Sequence, residues 1–404
     1  MTRRIFALVL SLCVFSLAAG CAPEQVQPTA PPPAAATPEP TPQPTPEPTP
    51  DPIRVRMEAM SDGEKVGQLL TVGFEGTAVG DDVTAYLRDY RVGGLILFKR
   101  NIASADQLAG LTNQLKERNG DGVPLFLGVD QEGGRVDRMP PEVHRTPGAW
   151  DITDPAAYGA VLAAECAAFG FNVDYAPSLD VWSNPDNTVI GKRAFGTDAG
   201  TVADRGPAAA RALLEGGVVP VVKHFPGHGD TDVDSHLGLP VVDKSLDELG
   251  ELELVPFRAA LAGDGLPAVM VAHIVLAQVD PERPASLSPA VVTDLLRGEL
   301  GFDGVVFTDD MTMGAVTQNY GLGEACVMAV EAGCDQLLVC HERANVDAAR
   351  QALLDAVESG RISRERLDES VYRVLSLKAR FGMDNKGVET PDVAGLNERI
   401  DALG

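Results

Sequence analysis

The sequence is poor in positive charge and in cysteine, and each shortage excludes a class of protein. Its 404 residues include 33 Lys and Arg against 58 Asp and Glu, which gives a formal net charge of −25. Nucleic-acid backbones and anionic lipids are bound by clustered cations, so this balance argues against nucleic-acid binding and against a basic membrane-surface helix. Six cysteines are too few for a disulfide-held scaffold in a chain of this length. The apolar content of 45% excludes a disordered chain.

The N-terminus has the pattern of an export signal. Thr-Arg-Arg at positions 2–4 precedes sixteen uncharged residues, 5–20, a stretch too short for a comfortable membrane span. The stretch ends in LAAGC, and small residues directly before a cysteine resemble a bacterial lipobox. This predicts a lipoprotein signal peptide over 1–20, lipidation of Cys21, and a protein anchored to the cell membrane outside the cytoplasm. An ordinary secretory signal with a chance cysteine is the alternative.

A proline-rich segment separates this signal from the rest of the chain. Thirteen of the 31 residues over 22–52 are proline, which blocks both helices and sheet ladders. The sequence predicts a lipidated cysteine followed by an extended stalk over 21–52. The stalk would hold one folded domain, 53–385, away from the membrane, and 386–404 would form a C-terminal tail.

Eight apolar, strand-like runs alternate with helical stretches along this domain. Continuous apolar runs are typical of strands that are buried on both faces. The runs lie at 66–74, 92–98, 124–130, 171–181, 218–225, 268–274, 304–310 and 336–340. They predict an α/β fold, a (β/α)8 TIM-type barrel in a single catalytic domain. A doubly wound open sheet is the alternative, but neither a GxGxxG nor a GxxxxGK[ST] phosphate loop is present.

Several helix ends are marked by capping residues. Ser104 and Ser245 each begin an S-x-x-Q/E pattern that is typical of a capping box. Ser288 precedes a proline, which predicts Ser288 as the N-cap of another helix. An amphipathic helix is predicted from about Ser363 to Phe381 and is followed by a glycine that can end it.

Unusual polar residues follow the predicted strands. Catalytic groups of a TIM barrel lie at the carboxyl ends of its strands. The third predicted strand ends at Asp130, the fourth at Asp180, the sixth at His273, and the seventh at Asp309 and Asp310. Lys223 and His224 occupy the same place on the fifth. The sequence therefore predicts that these side chains meet at one end of the barrel.

The segment 223–236 holds three of the six histidines, namely His224, His228 and His236. A metal site is disfavoured, because a Pro-Gly pair between the first two prevents the helical spacing that would aim both at one ion. Asp234 lies two residues before His236, and a carboxylate that orients an imidazole suits general acid–base chemistry. An exposed loop histidine is the alternative for His236.

Together these motifs resemble glycoside hydrolase family 3, in its bacterial β-N-acetylglucosaminidase branch. The resemblance implies a (β/α)8 barrel that acts on terminal β-linked N-acetylglucosamine with retention of configuration and with no metal or other cofactor. The matching strings are GVDQEGGRVDRM (128–139), APSLDV (176–181), VIGKRAFG (189–196), KHFPGHGDTDVDSHLGLP (223–240) and GFDGVVFTDDMTMGA (301–315).

The resemblance also implies a role for individual residues. Asp309 matches the nucleophile, His236 the general acid/base and Asp234 its partner carboxylate. Asp180 and Asp310 match positions with supporting roles. The sugar-binding positions are matched by Asp130, Arg138, Arg193, Lys223 and His224.

The roles of several further residues are weighed separately. His228 is expected to pack in its loop, and His273 is either a wall of the site or structural. Trp182 is expected in the core rather than in the pocket. The cysteines of the domain, Cys166, Cys326, Cys334 and Cys340, are expected to be buried thiols.

The function expected from these observations is that of a membrane-anchored exo-β-N-acetylglucosaminidase. Its substrate partner would be a cell-wall glycan or muropeptide, since the predicted location is the cell surface, and its membrane contact would be the lipid on Cys21. A phosphorylase is one alternative, because a histidine acid does not repel phosphate as a carboxylate would. A non-catalytic sugar receptor is another. The sequence does not indicate an oligomeric state.

Overall fold

The computed structural model describes residues 50–231, 238–263 and 265–403. Eight parallel strands of this part of the chain form a closed barrel, in the order β1-β8-β7-β6-β5-β4-β3-β2. The TIM-type barrel is therefore confirmed, and each predicted apolar run contains one strand. The strands are β1 Leu70–Val72, β2 Gly94–Leu97, β3 Phe126–Val129, β4 Val173–Asp174, β5 Val219–Phe225, β6 Ala268–Val271, β7 Val305–Asp310 and β8 Gln336–Val339.

Helices surround the barrel and cover the outward faces of its strands. The α-helices are α1 Pro52–Glu58, α2 Asp62–Gln68, α3 Asp81–Ala85, α4 Ala105–Asn119, α5 Pro155–Ala168, α6 Ala199–Glu215, α7 Leu246–Glu251, α8 Leu254–Leu261, α9 Gly314–Thr317, α10 Leu322–Ala332, α11 Arg343–Glu358, α12 Arg364–Arg380 and α13 Val393–Asp401. Short π-helical segments occur at Tyr86–Tyr90 and Ala290–Glu299. Each helix of the described ranges is too short or too polar to cross a membrane.

Two layers of apolar side chains explain why this sequence closes into a barrel. Alternate residues of the strands point inward, where Phe126, Tyr175 and Phe307 fill the lumen. The other residues of each strand pack outward against the helices in a larger core. Because both faces of every strand are covered, the strands read as continuous apolar runs rather than as alternating patterns.

The predicted helix starts are confirmed with one exception. The hydroxyls of Ser104, Ser245 and Ser363 accept the expected backbone N–H groups, and Ser245 forms a full capping box. The prediction for Ser288 is wrong. Its hydroxyl instead donates to Asp280 at 2.7 Å, and the helix that follows is π-helical. A competing carboxylate therefore takes the hydroxyl that a cap would need.

The cysteines and the C-terminal segment can also be located. Cys166, Cys326, Cys334 and Cys340 are free, buried thiols, as expected. Burial raises the pKa of both Cys326 and Cys334 to about 12, which leaves them unreactive at neutral pH. Within 386–404, helix α13 packs on α5 through buried Leu396 and Ile400.

Candidate active site

A cavity of about 510 Å³ opens at the carboxyl ends of the barrel strands. Side chains that follow four different strands line it, namely Phe98 after β2, Asp130 after β3, Asp309 at the end of β7 and His341 after β8. The fifth strand contributes Lys223 and the residue after it. This is the end at which a TIM barrel carries its chemistry.

The floor of the cavity is a cluster of buried ion pairs. The Lys223 ammonium lies 2.7 Å from Asp130 and 2.7 Å from Glu132, and Lys223 is almost fully buried. Arg193 donates two hydrogen bonds to the Glu132 carboxylate, each 2.7 Å long. Burial opposes charge on Glu132, but Arg193 and Lys223 outweigh it and hold the pKa of Glu132 far below its usual range.

His224 is oriented by a buried carboxylate. Its Nδ1 lies 2.6 Å from Asp180 Oδ2, and its Nε2 faces the Arg193 guanidinium at 3.3 Å. The other oxygen of Asp180 accepts the backbone N–H of His228 at 2.7 Å. Although burial raises it, the neighbouring His224 and His228 rings bring the pKa of Asp180 well below the usual value. Asp180 therefore stays ionised and fixes which nitrogen of His224 faces the cavity.

Asp309 is the carboxylate whose surroundings best suit a nucleophile. Asp309 is half-buried. Loss of solvent raises its pKa, but His224, His273, the Asp310 N–H and Lys223 lower it by more. The net result is a pKa below the usual value, so that the carboxylate is ionised at neutral pH. Its Oδ1 accepts the Asp310 N–H at 2.8 Å. Asp309 is one of the residues that line the cavity.

The Asp310 carboxylate holds the ends of β7 and β8 together through hydrogen bonds, unlike the carboxylate of the adjacent Asp309. Its carboxylate accepts the Thr312 N–H and hydroxyl and the Cys340 N–H at 2.7–3.1 Å. His273 donates from Nε2 to the Asp310 carbonyl at 3.0 Å, and its Nδ1 lies 2.7 Å from the Ser286 hydroxyl. Burial lowers the pKa of His273, so the ring is held as a neutral structural group beside the end of β7.

Six of the residues predicted from the sequence line this one cavity: Asp130, Arg138, Arg193, Lys223, His224 and Asp309. The other predicted catalytic residues, His236 and Asp234, lie outside the described residues, as does Cys21. In the described ranges no group of three or more His, Cys, Asp or Glu side chains could hold a metal ion.

Several residues of the cavity were missed or left open by sequence reasoning. Glu132 joins Lys223 to Arg193, and its only signal was its place two residues after Asp130 in a glycine-rich string. Phe98 and His341 stack at 5.8 Å on the cavity wall. Trp182 lies outside the cavity lining, but the prediction that it belongs to the core is wrong, because it is only half-buried and packs edge-on against the half-buried Trp150, with ring centroids 5.4 Å apart.

Comparison with known proteins places this arrangement in a family. The model of the glycosyl hydrolase family 3 N-terminal domain matches residues 62–377. The chain is 33% identical over 336 residues to Beta-hexosaminidase A of Pseudoalteromonas piscicida, over 76% of this chain and 56% of that protein. It is 38% identical over 298 residues to Beta-hexosaminidase of Alkalilimnicola ehrlichii, over 71% of this chain and 84% of that protein.

A solved structure with the same architecture is that of a glycoside hydrolase family 3 β-N-acetylglucosaminidase from Paenibacillus sp. str. FPU-7. The TM-score is 0.79 at 43% sequence identity, and the match covers 85% of this chain and 68% of that one. The present chain thus spans little more than half of the Pseudoalteromonas relative and about two thirds of the Paenibacillus protein.

Proposed function

The chain belongs to glycosyl hydrolase family 3, and we propose that it is a retaining exo-β-N-acetylglucosaminidase with Asp309 as its nucleophile. One observation carries the proposal. The half-buried carboxylate of Asp309, whose pKa is lowered by its neighbours, lies in the same cavity as a set of cations and carboxylates suited to sugar hydroxyls. The fold alone does not indicate which sugar is bound, because it hosts many specificities. The choice of N-acetylglucosamine is supported by the names of the hexosaminidase relatives.

The first chemical step is attack of Asp309 on the anomeric carbon. The new carbon–oxygen bond forms as the glycosidic bond breaks, and the leaving oxygen takes a proton from the general acid. Retaining glycosidases proceed through such a covalent glycosyl-enzyme, which water then cleaves at the same carbon. The depressed pKa of Asp309 supports this role, because only the ionised carboxylate is nucleophilic.

His236 is the proposed acid/base, with Asp234 as the carboxylate that orients it. This part of the proposal is supported by the sequence string KHFPGHGDTDVDSH and by the family resemblance. An imidazole exchanges its proton near neutral pH, so it can protonate the leaving oxygen and later deprotonate water. Such a group contributes roughly 10²–10⁴-fold to the rate.

The sugar would be held by the ion-pair cluster at the cavity floor. Asp130 offers carboxylate oxygens to hydroxyl donors, while Arg138 and Lys223 offer donors to hydroxyl oxygens. The Lys223–Glu132–Arg193 bonds fix these groups before the substrate arrives. Preorganised polar groups of this kind orient a ligand at low entropic cost.

The natural substrate we propose is a peptidoglycan fragment that ends in N-acetylglucosamine. This proposal is supported by the predicted location of the protein. A lipid on Cys21, followed by a proline-rich stalk, would place the domain beside the cell wall. Muropeptides with and without attached peptides, offered to the purified protein, test this substrate class by release of free N-acetylglucosamine. Turnover of aryl glycosides alone, with intact muropeptides untouched, would contradict it.

The activity is tested with the purified full-length chain and an aryl β-N-acetylglucosaminide, in phosphate-free buffer and again with added phosphate. Turnover to free N-acetylglucosamine in both buffers supports a hydrolase. Strong stimulation by phosphate, with a sugar 1-phosphate as product, would make the protein a phosphorylase. Binding of N-acetylglucosamine without turnover in either buffer would make it a receptor.

A further inference from the structure

In the segment 130–138, some side chains line the cavity and others are buried in the fold behind it. Asp130, Glu132 and Arg138 line the cavity. Gln131 turns away from it and is fully buried. Its side-chain oxygen accepts the Arg138 N–H at 2.8 Å, so the amide of Gln131 bridges the two ends of the segment. This hydrogen bond ties Arg138 to the residue that follows Asp130.

A glutamate on α5 holds that amide. Oε2 of Glu165 accepts Nε2 of Gln131 at 3.0 Å, and its Oε1 pairs with the Thr146 hydroxyl at 2.8 Å. The carbonyl of Thr146 accepts the Gly134 N–H at 2.8 Å. The Glu165 carboxyl group thus contacts Gln131 of the segment directly. It also contacts Thr146, whose carbonyl is hydrogen-bonded to Gly134 in the middle of the segment.

The same face of α5 carries a second contact to the segment. Tyr158 lies seven residues before Glu165, two helical turns away, and its hydroxyl donates to the Glu132 carbonyl at 2.6 Å. Both side chains are buried. Helix α5 therefore supports the segment at two points, one a phenol and the other a carboxyl group.

The surroundings of Glu165 disfavour a negative charge. The titratable groups that interact with it are Asp137 on the segment, and Tyr158 and Cys166 on α5. These neighbours carry negative charge or none. Burial, together with the field of Asp137, raises the pKa of Glu165 to about 8, against the lowering effect of its two hydrogen bonds.

We propose that Glu165 is a positioning residue for sugar binding, and that it holds the segment 130–138 in place in its uncharged form. The Thr146 hydroxyl donates to Oε1 of the ionised carboxylate; in the uncharged form this bond reverses, so that the acid hydroxyl donates to the Thr146 oxygen, while Oε2 still accepts from Gln131. Both contacts are then kept without burying a charge. Ionisation would place a charge in this apolar and anionic surrounding, and hydrating that charge would pull the segment away from α5. The sugar-binding role of the segment rests on the function proposed above.

Glu165→Gln gives the sharpest test, because glutamine copies the uncharged acid and cannot ionise. Two readouts are compared between wild type and variant from pH 7 to pH 9: hydrogen exchange of the backbone amides in 131–138 without ligand, and the dissociation constant for N-acetylglucosamine. A group with a pKa of about 8 is roughly nine-tenths ionised at pH 9. We therefore expect wild type to lose about tenfold in amide protection and in affinity relative to Glu165→Gln at pH 9, and the variant to have the same affinity at both pH values.

Tyr158→Phe is the matched control on the same helix face. It removes the other contact to the segment, and burial raises the pKa of Tyr158 far above this pH range. We expect weaker protection of 131–138 at both pH values, with the alkaline loss of wild type retained. Glu165→Leu should lose protection at pH 7 already, because it lacks both hydrogen bonds.

The two readouts separate the possible failures. Equal alkaline loss in wild type and Glu165→Gln, in both exchange and affinity, would overturn the role of Glu165. Loss of protection without loss of affinity would show that the segment does not carry sugar binding, and would overturn the positioning role too. No binding of N-acetylglucosamine by wild type at any pH would contradict the proposed function, while the exchange data would still decide whether Glu165 holds the segment.

Discussion

The two ends of the barrel both contain buried charges and a cavity, yet they differ in what those charges contact. The cavity at the carboxyl end has a volume of about 510 Å³, and one beside the amino end, between α12 and the starts of β6 and β7, has about 530 Å³. Cavity volume therefore does not distinguish them. The difference lies in whether charged groups face the open space or only each other.

Two buried lysines illustrate this difference. At the carboxyl end, Asp130 and Glu132 outweigh burial and raise the pKa of Lys223, so it stays charged beside the cavity. At the amino end, Lys378 donates to Gln68 Oε1 and the Gly93 carbonyl, at 3.0 and 2.7 Å, and burial lowers its pKa far below the usual value. One lysine lies among carboxylates beside the cavity, and the other donates hydrogen bonds to uncharged oxygens at the amino end of the barrel.

A buried ion-pair cluster around Asp335 at the amino end also satisfies its charges within the fold. Asp335 accepts the Arg297 guanidinium at 2.6 Å and the Ser370 hydroxyl at 2.6 Å, and Arg366 and Arg373 lie within 4 Å of it. Its lone pairs are taken by partners within the fold. We infer that charge at this end serves stability, while charge at the carboxyl end serves binding and catalysis.

The largest effect that separates the two ends should come from Asp309→Asn. The neutral amide cannot form the glycosyl-enzyme, so kcat on an aryl β-N-acetylglucosaminide should fall by at least about 10⁴-fold with an unchanged melting temperature. Asp303→Asn is the matched control, since Asp303 is an aspartate on the wall of the amino-end cavity. It should keep wild-type turnover, and wild-type turnover in Asp309→Asn would remove the distinction.

His236→Ala should give the next largest effect. Substrates with poor leaving groups need the proton most and should lose roughly 10²–10⁴-fold in kcat/KM, whereas activated aryl glycosides should lose much less. A series of aryl glycosides with graded leaving-group pKa values measures this. Equal losses across the series would count against His236 as the acid.

Asp335→Ala should act on stability alone. It leaves Arg297 and its neighbours without their carboxylate, which should lower the free energy of unfolding by about 3–5 kcal/mol. Denaturant unfolding measures the loss, and kcat per folded molecule should stay within about twofold of wild type. The surface ion pair of Asp303 with Arg373 provides the control, because Asp303→Asn should cost under about 1 kcal/mol. A large drop in kcat for folded Asp335→Ala would undermine the division between the ends.

The smallest effect concerns pH and Lys378. Burial lowers the folded-state pKa of Lys378 below its unfolded value of 10.5, so the unfolded chain binds one more proton between those two values. The stability of wild type relative to Lys378→Met should therefore rise with pH in that window, by at most about 1.4 kcal/mol per pH unit. Unfolding at pH 7 to 10 measures it. Lys386→Met removes an exposed lysine and should show a constant difference, and a constant difference in Lys378→Met would mean that Lys378 is charged in the fold.

Much of the fold was predictable because local chemistry and the global fold agree. Strands buried on both faces leave apolar runs, and groups at their carboxyl ends, such as Lys223 and Asp309, stand out as polar exceptions. The N-cap prediction for Ser288 was wrong because its hydroxyl donates to Asp280, eight residues earlier in the chain. A cap pattern cannot reveal a competing partner that lies outside the helix.

The network behind the site was the harder part. Glu132 could not be told from a solvent-exposed glutamate, because its partners Lys223 and Arg193 are far away in sequence. Glu165 lies in the last turns of an apolar helix, and no neighbouring residue in the sequence indicates its hydrogen bond to Gln131. Position along a strand predicted which residues touch the cavity, but not which residues hold them.

The most direct test of the central claim is to trap the glycosyl-enzyme and locate it. A 5-fluoro-N-acetylglucosaminyl fluoride combines a fast first step with a slow second step, so the intermediate should accumulate on the wild-type protein. Intact-mass and peptide mass spectrometry should then find one added sugar on the peptide that contains Asp309, and none on Asp309→Asn. Label on a different residue, or release of fluoride by steady turnover with no labelled protein at any time, would contradict the account.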